Sequence, residues 1–137
     1  MPTALLVNID VDDLERAVAF YTAAFGLTVG RRFGALAMEL TGGTAPVYLL
    51  AKPDGSPAGP ATGERRRYAR HWTPVHLDFV VDDLDAAVAR AQAAGATLEA
   101  GPATHVWGRI AQLADPFGHG LCLIQFLGRG YDEIASG

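Results

Sequence analysis

Two kinds of hydrophobic pattern alternate along the chain, and the alternation runs through twice. "ALLVNID" at 4–10 and "VHLDFV" at 75–80 vary with period two, as strands do. Leu6, Asn8 and Asp10 then share one face of the first, and His76, Asp78 and Val80 one face of the second. Each run is followed by apolar residues at helical spacing: Leu14, Ala17, Val18 and Tyr21, then Leu84, Ala87, Val88 and Ala91. Asp12 and Asp82 are placed to cap these helices, each with an acidic residue three positions on. Gly26 and Gly95 stand where a left-handed cap would end them. Strand patterns return at 28–33, 35–41 and 45–51, and again at 97–100, 106–114 and 121–127. Gly42-Gly43 and "DPFGHG" at 115–120 supply the hairpin turns.

The two rounds share sequence as well as pattern. "VDDLERAVA" at 11–19 returns as "VDDLDAAVA" at 81–89. A unit this long in two copies points to duplication of one supersecondary module, not to a solenoid. The predicted fold class is α+β: two tandem βαβββ modules forming a curved mixed-sheet cup with the helices on its outer face. The first module takes residues 1–52 and the second 74–127. A Pro/Gly/Arg-rich linker fills 53–73, and 128–137 is a C-terminal tail; together they make one domain. The sheet face not covered by helices is where a ligand would sit.

Composition narrows the classes. Half of the 137 residues are apolar and 19% are charged, so the chain is globular. Its apolar runs are too short to span a bilayer, and the first ten residues lack a basic leader pattern. A cytoplasmic protein with no membrane partner is expected. Cys122 is the only cysteine, which rules out an internal disulfide and a cysteine-rich metal site. A net charge of −4 argues against nucleic acid and suits a cationic ligand. "ERRRYAR" at 64–70 is the local exception. A solvated linker is the favoured reading, with an anion-binding rim as the alternative.

Three motifs then carry a family resemblance: "VDDLERAVAFYTAAFGL" at 11–27, "VHLDFVVDDLDAAVARAQAAGA" at 75–96 and "DPFGHGLCLIQF" at 115–126. In this order, and duplicated, they resemble the vicinal oxygen chelate superfamily of glyoxalase I, bleomycin- and fosfomycin-resistance proteins and extradiol dioxygenases. The resemblance covers nearly the whole chain. It implies a homodimer, and in metal-dependent members one divalent cation held by His or Gln on the first strand and Glu on the last strand of each half.

Position by position, that ligand set is incomplete here. The first-strand ligand lies five residues before the Val of the repeat, which is His76 in the second half but Leu6 in the first. The last-strand ligand lies seven residues after the Asp of the final turn, which is Cys122; "PVYLLA" at 46–51 offers none. His76 is thus the only retained family ligand position, and no metal or other cofactor is expected, although a divalent ion on a non-standard set stays open.

Without that metal, Asn8, Tyr48, His76, Asp78, Cys122 and Phe126 would line a mostly apolar pocket for a small molecule. His76 is the candidate general base, oriented by Asp78, with a plain hydrogen-bonding role as the favoured alternative. Cys122 reads as a buried structural thiol. Trp107 and Arg109 alternate on "HVWGRIAQL", so they are expected on one side, either as stacking platform and anion clamp or as cover for a flank. His119 reads as a solvent-facing turn residue, and His105, His71 and Trp72 stay unassigned. Two functions follow: a drug- or metabolite-binding protein, or a glyoxalase-type lyase, isomerase or dioxygenase-like enzyme using His76.

Overall fold

A computed structural model describes residues 1–137. The chain divides into two compact units, residues 1–69 and 70–137, and each repeats the same plan. The first unit carries β1 (Val7–Val11), α1 (Leu14–Phe25), β2 (Thr28–Phe33), β3 (Ala37–Thr41) and β4 (Val47–Ala51). The second carries β5 (Leu77–Val80), α2 (Leu84–Ala94), β6 (Thr97–His105), β7 (Gly108–Ala114) and β8 (Gly120–Phe126), then a short 3-10 turn at Gly130–Glu133. Each sheet is mixed, in the order β1-β4-β3-β2 and β5-β8-β7-β6. The first strand of each unit pairs in parallel with the last, and the remaining pairs are antiparallel. The α+β, two-module architecture read from the repeat is therefore the one observed. No helix is long and apolar enough to cross a membrane.

Each helix covers one face of its own sheet. Leu14, Ala17, Phe20, Tyr21 and Ala24 are the buried positions of α1, and Leu84, Ala87, Val88 and Ala91 those of α2. They pack toward Ile9, Val11, Leu40 and Leu49 in the first unit and Leu113, Leu121 and Leu123 in the second, all buried. Val18 is only half-buried; Phe20 takes its place, because the buried stripe turns toward the aromatic cluster of Phe20, Tyr21 and Phe25.

The caps correct the sequence reading by one residue. Asp13 and Asp83, not Asp12 and Asp82, are the N-caps, and their carboxylates accept from the Arg16 and Ala86 amides at 3.0 and 3.1 Å. The helices start at Leu14 and Leu84 because those side chains must enter the core, which leaves the preceding Asp in extended backbone. Glu15 and Asp85 fall in the first turn, where they favour the helix dipole. Gly26 ends α1 in the left-handed region as expected.

A second correction concerns β6. It runs to His105, so 101–105 is strand and the turn is Val106-Trp107. The alternation is hidden in the sequence because the pairing with β7 shifts register between Leu98 and Ala103, around Gly101. That glycine has φ +85°, and a Cβ there would crowd the backbone of Ile110 and Ala111.

Residues 53–69 are not a free tether. The segment folds back through paired backbone bonds, Gly55 N–H to Arg66 O and Arg66 N–H to Ser56 O. It docks on the first unit through Arg66 Nε to Asp10 Oδ2 at 2.7 Å and Tyr68 Oη to the Lys52 carbonyl at 2.7 Å. Arg70 belongs to the second unit, where it forms a two-pronged pair with Glu99.

Candidate functional site

The second sheet has two faces of opposite character, and register separates them. Gln125 Oε1 accepts the Leu84 amide, and Arg109 is paired with Asp85, so the odd positions of β7 and β8 lie on the α2 side. The even positions share the other face. Asp78 is opposite Cys122, which is opposite Gln112; Val80 is opposite Ile124, which is opposite Ile110. Phe126 follows in the same parity. From Cys122 to Phe126 is about 13 Å along the strand. This face thus grades from a polar end, through a branched aliphatic middle, to an aromatic end.

At the polar end His76, Asp78 and Cys122 converge. His76 Nε2 lies 3.3 Å from Asp78 Oδ1, and one ligand atom from each of the three residues falls within 4.8 Å of the others. His76 and Asp78 are exposed, whereas Cys122 is 6% exposed. Burial, together with the Asp78 carboxylate beside it, pushes the Cys122 thiol up to about 11, so the free side chain is a neutral S–H.

A wall stands behind this trio. The Trp72 ring lies 4.6 Å from the His76 ring, and the Arg70 guanidinium lies over Trp72 at 5.6 Å. Gly120 makes the wall possible, since a Cβ there would overlap Trp72 Cε3 and Cζ3. Glu99 bridges Arg70 and Gln112, and Arg70 holds its carboxyl below the usual range. The buried Asp115 carboxylate sets the turn into β8 by accepting the Phe117 and His119 amides at 2.8 and 2.9 Å. His119 is not a solvent-facing turn residue. It is half-buried, with Nδ1 2.9 Å from His71 Nε2, because the 70–73 segment lies against the turn.

At the aromatic end Trp107 stacks on His105 with ring centroids 5.3 Å apart. Phe126 and Tyr131 complete the cluster, at 5.2 Å between Trp107 and Tyr131 and 4.8 Å between Phe126 and Tyr131. Trp107 and Arg109 do not share a side as expected. Trp107 is a turn residue whose ring meets Phe126, while Arg109 is in β7 with its guanidinium on Asp85 at 3.0 Å.

The first unit carries the corresponding register without the corresponding chemistry. Asn8 is opposite Tyr48, as Asp78 is opposite Cys122. Leu6, the match of His76, offers no donor. Tyr48 donates to Glu39 at 2.9 Å and accepts from Arg31 at 3.1 Å. Glu39, 12% exposed, takes the Arg31 backbone amide and both guanidinium prongs, which holds its carboxyl down at about 2. Its oxygens are committed. A family-type ion drawing on the first strand and last strand of both halves does not fit these residues.

The structure therefore brings together His76, Asp78 and Cys122; Asn8 and Tyr48; and Trp107 and Phe126. Arg109 it sets apart from all of them. Trp72, Glu99 and Gln112 carry no assignment from sequence, and Arg70, read there only as the end of the basic run at 64–70, is a partner of Glu99. Gly120, a glycine at the start of a strand, was the available sign of a close approach.

Comparison with known proteins places the chain among relatives. The family described as "Glyoxalase-like domain" matches residues 6–124. CFP32 of Mycobacterium bovis is 36% identical over 108 residues, covering 78% of this chain and 38% of its own length. "Anthracycline biosynthesis protein DnrV" of Streptomyces peucetius is 33% identical over 133 residues, 96% of this chain and 44% of that protein. The chain thus spans less than half the length of these two relatives. Among solved structures, TnmS3, an antibiotic binding protein from Streptomyces sp. CB03234, superimposes with a TM-score of 0.64 at 26% identity, over 93% of this chain and 98% of that one.

Proposed function

The chain belongs to the glyoxalase-like domain family, within the vicinal oxygen chelate superfamily, and from that premise we propose that it binds a planar, aromatic small molecule without a family-type metal ion. The observation that carries this reading is the graded face of the second unit. Trp107, Phe126, Tyr131 and His105 form a stacking surface at one end, and His76 and Asp78 present a polar pair at the other. Val80, 62% exposed, and the aliphatic floor beside it lie between them. A fused-ring ligand with a basic or hydroxylated substituent matches both ends. The net charge of −4 favours a cationic one. The relatives' names, an anthracycline biosynthesis protein and an antibiotic binding protein, support the same ligand class.

Unpaired edges on both sheets, with Leu5, Leu6 and Val75 exposed beside β1 and β5, support a homodimer in solution. A second reading, proton transfer by His76 with Asp78 orienting it, draws on their 3.3 Å approach. An anthracycline serves as the probe. Its fluorescence should be quenched saturably by the chelator-treated protein, and Trp107→Ala should weaken that binding about tenfold or more. Undiminished binding by Trp107→Ala would overturn the reading. Chemical conversion of the probe that stops in His76→Ala would favour the enzyme instead.

A further inference from the structure

We propose that the face of the first sheet left open by α1 holds a small-molecule site of its own, in which Arg31 donates from Nη1 to the carbonyl oxygen of a neutral planar aromatic ketone packed against Phe33. The site rests on residues of the first unit alone and does not depend on the anthracycline reading of the second.

A β-bulge builds it. Val29 is opposite Leu40 and Arg32 is opposite Met38, so Gly30 and Arg31 together face the single residue Glu39. The extra residue reverses the parity of the strand. Leu40 and Met38 are buried and Arg32 pairs with Glu15 of α1, so Val29 and Arg32 lie on the helix side. Strict alternation would turn Arg31 to the side of Val29. The bulge turns it instead to the open face, where it meets Glu39, Tyr48 and Phe33. A Cβ at Gly30 would stand 2.6 Å from Glu39 Oε1, so glycine leaves that carboxylate its place.

The guanidinium is held in place by the protein itself. Nε and Nη2 donate to Glu39 at 3.1 and 2.8 Å, and Nη2 donates also to Tyr48 Oη at 3.1 Å. Its central carbon lies 5.5 Å from the centre of the Phe33 ring. These bonds use one edge of the fork. Nη1, on the other edge, keeps its two hydrogens for a ligand, and the Arg31 side chain is 68% exposed. A donor already fixed loses little freedom on binding. Phe33, 43% exposed, and Tyr48 offer apolar surface beside it, with ring centroids 6.3 Å apart. Charge selects the ligand. Arg31 and Glu39 cancel, so no net charge is left to attract a carboxylate, and the Glu39 oxygens repel one. A ketone oxygen accepts the Nη1 hydrogens without bringing charge.

The test titrates the full chain with acridone, a neutral tricyclic ketone, and with carbazole, a tricyclic ring that keeps the N–H but lacks the carbonyl. Ligand fluorescence reads affinity, and ¹⁵N NMR reads location. Acridone should bind saturably, move the Arg31 Nε–H and Gly30 amide signals, and bind about fivefold or more tightly than carbazole. Arg31→Gln should remove that preference, and Phe33→Ala should weaken both probes by about fivefold or more. Trp107→Ala should leave the Arg31 shift in place, so failure of this site is read separately from failure of the anthracycline site. Arg31 and Gly30 signals that acridone does not move, or a preference that survives in Arg31→Gln, would overturn the proposal. Phe33→Ala, on the edge strand β2, carries the test if Arg31→Gln fails to fold, and acridone binding unchanged in it would overturn the site as well.

Discussion

Replacing Asp115 with alanine gives the sharpest test of how the second unit positions its residues. The Asp115 carboxylate is 5% exposed and accepts two backbone N–H groups, from Phe117 at 2.8 Å and His119 at 2.9 Å. Phe117 is itself fully buried, so water cannot readily replace the first of these bonds. A hydrogen bond to a charged group contributes about 1.5–3 kcal/mol, so losing two costs roughly 3–6 kcal/mol. Relief from burying the carboxylate returns part of that, leaving a net loss of about 3 kcal/mol. For a chain of this size that corresponds to a fall of roughly 10 °C in Tm. Asp115→Asn keeps an acceptor oxygen in place and should lose about half as much. Thermal and urea unfolding at neutral pH, with both variants beside the parent, measure this. An alanine variant within about 1 kcal/mol of the parent would refute the reasoning, because surface substitutions alone stay inside such a range. So would an asparagine variant as damaged as alanine.

Gly120→Ala should push the Trp72 ring off the strand, at a cost of about 1–3 kcal/mol, and shift the His76 imidazole resonances; unchanged resonances would show that Trp72 does not rest there. Glu39→Gln probes the committed pair in the first unit. Hydrogen bonds from Arg31 depress the Glu39 carboxyl from about 4.5 unfolded to about 2 folded. Its stabilisation is therefore fully present above pH 4.5 and is lost as pH falls toward 2. The gap in melting temperature between parent and Glu39→Gln should narrow over that window, and a constant gap would contradict the pairing. Arg109→Ala should leave anthracycline binding unchanged, since its guanidinium is engaged by Asp85 on the helix side; a large loss measured by fluorescence would return Arg109 to the ligand face. Sedimentation at micromolar concentration should give a dimer, and a monomer would remove that part of the proposal.

Much of the fold was legible because duplication repeats the evidence. A strand followed by "VDDL" and a helical stripe is a weak signal once, but twice with the same spacing it fixes the module. The misreadings came where local chemistry permits two answers. "VDD" offers two adjacent caps, and only packing of Leu14 and Leu84 chooses between them. "AGPATH" loses its alternation because the β6 register shifts there. That shift in turn moved Trp107 out of the strand and broke its parity with Arg109.

At the site, spacing was enough to find His76 and Cys122 and to see that Leu6 cannot match His76. It pointed to Asp78 as the group that would orient His76 but could not fix their direct contact. Residues two apart on an extended strand are about 6–7 Å apart at the backbone, and their side chains lean together here beside Trp72. Glu39 was hidden for a related reason, since its significance is the Arg31 and Tyr48 that occupy it, seventeen residues apart in sequence.

The central claim is that the graded face of the second unit binds a planar aromatic molecule without a family-type ion. Fluorescence titration of an anthracycline into chelator-stripped protein, for the parent, Trp107→Ala and Leu6→Ala, tests it most directly. The account predicts saturable binding by the stripped parent, about tenfold or more weaker binding by Trp107→Ala, and no loss with Leu6→Ala. Binding that appears only after a divalent ion is restored, or that ignores Trp107, would contradict it.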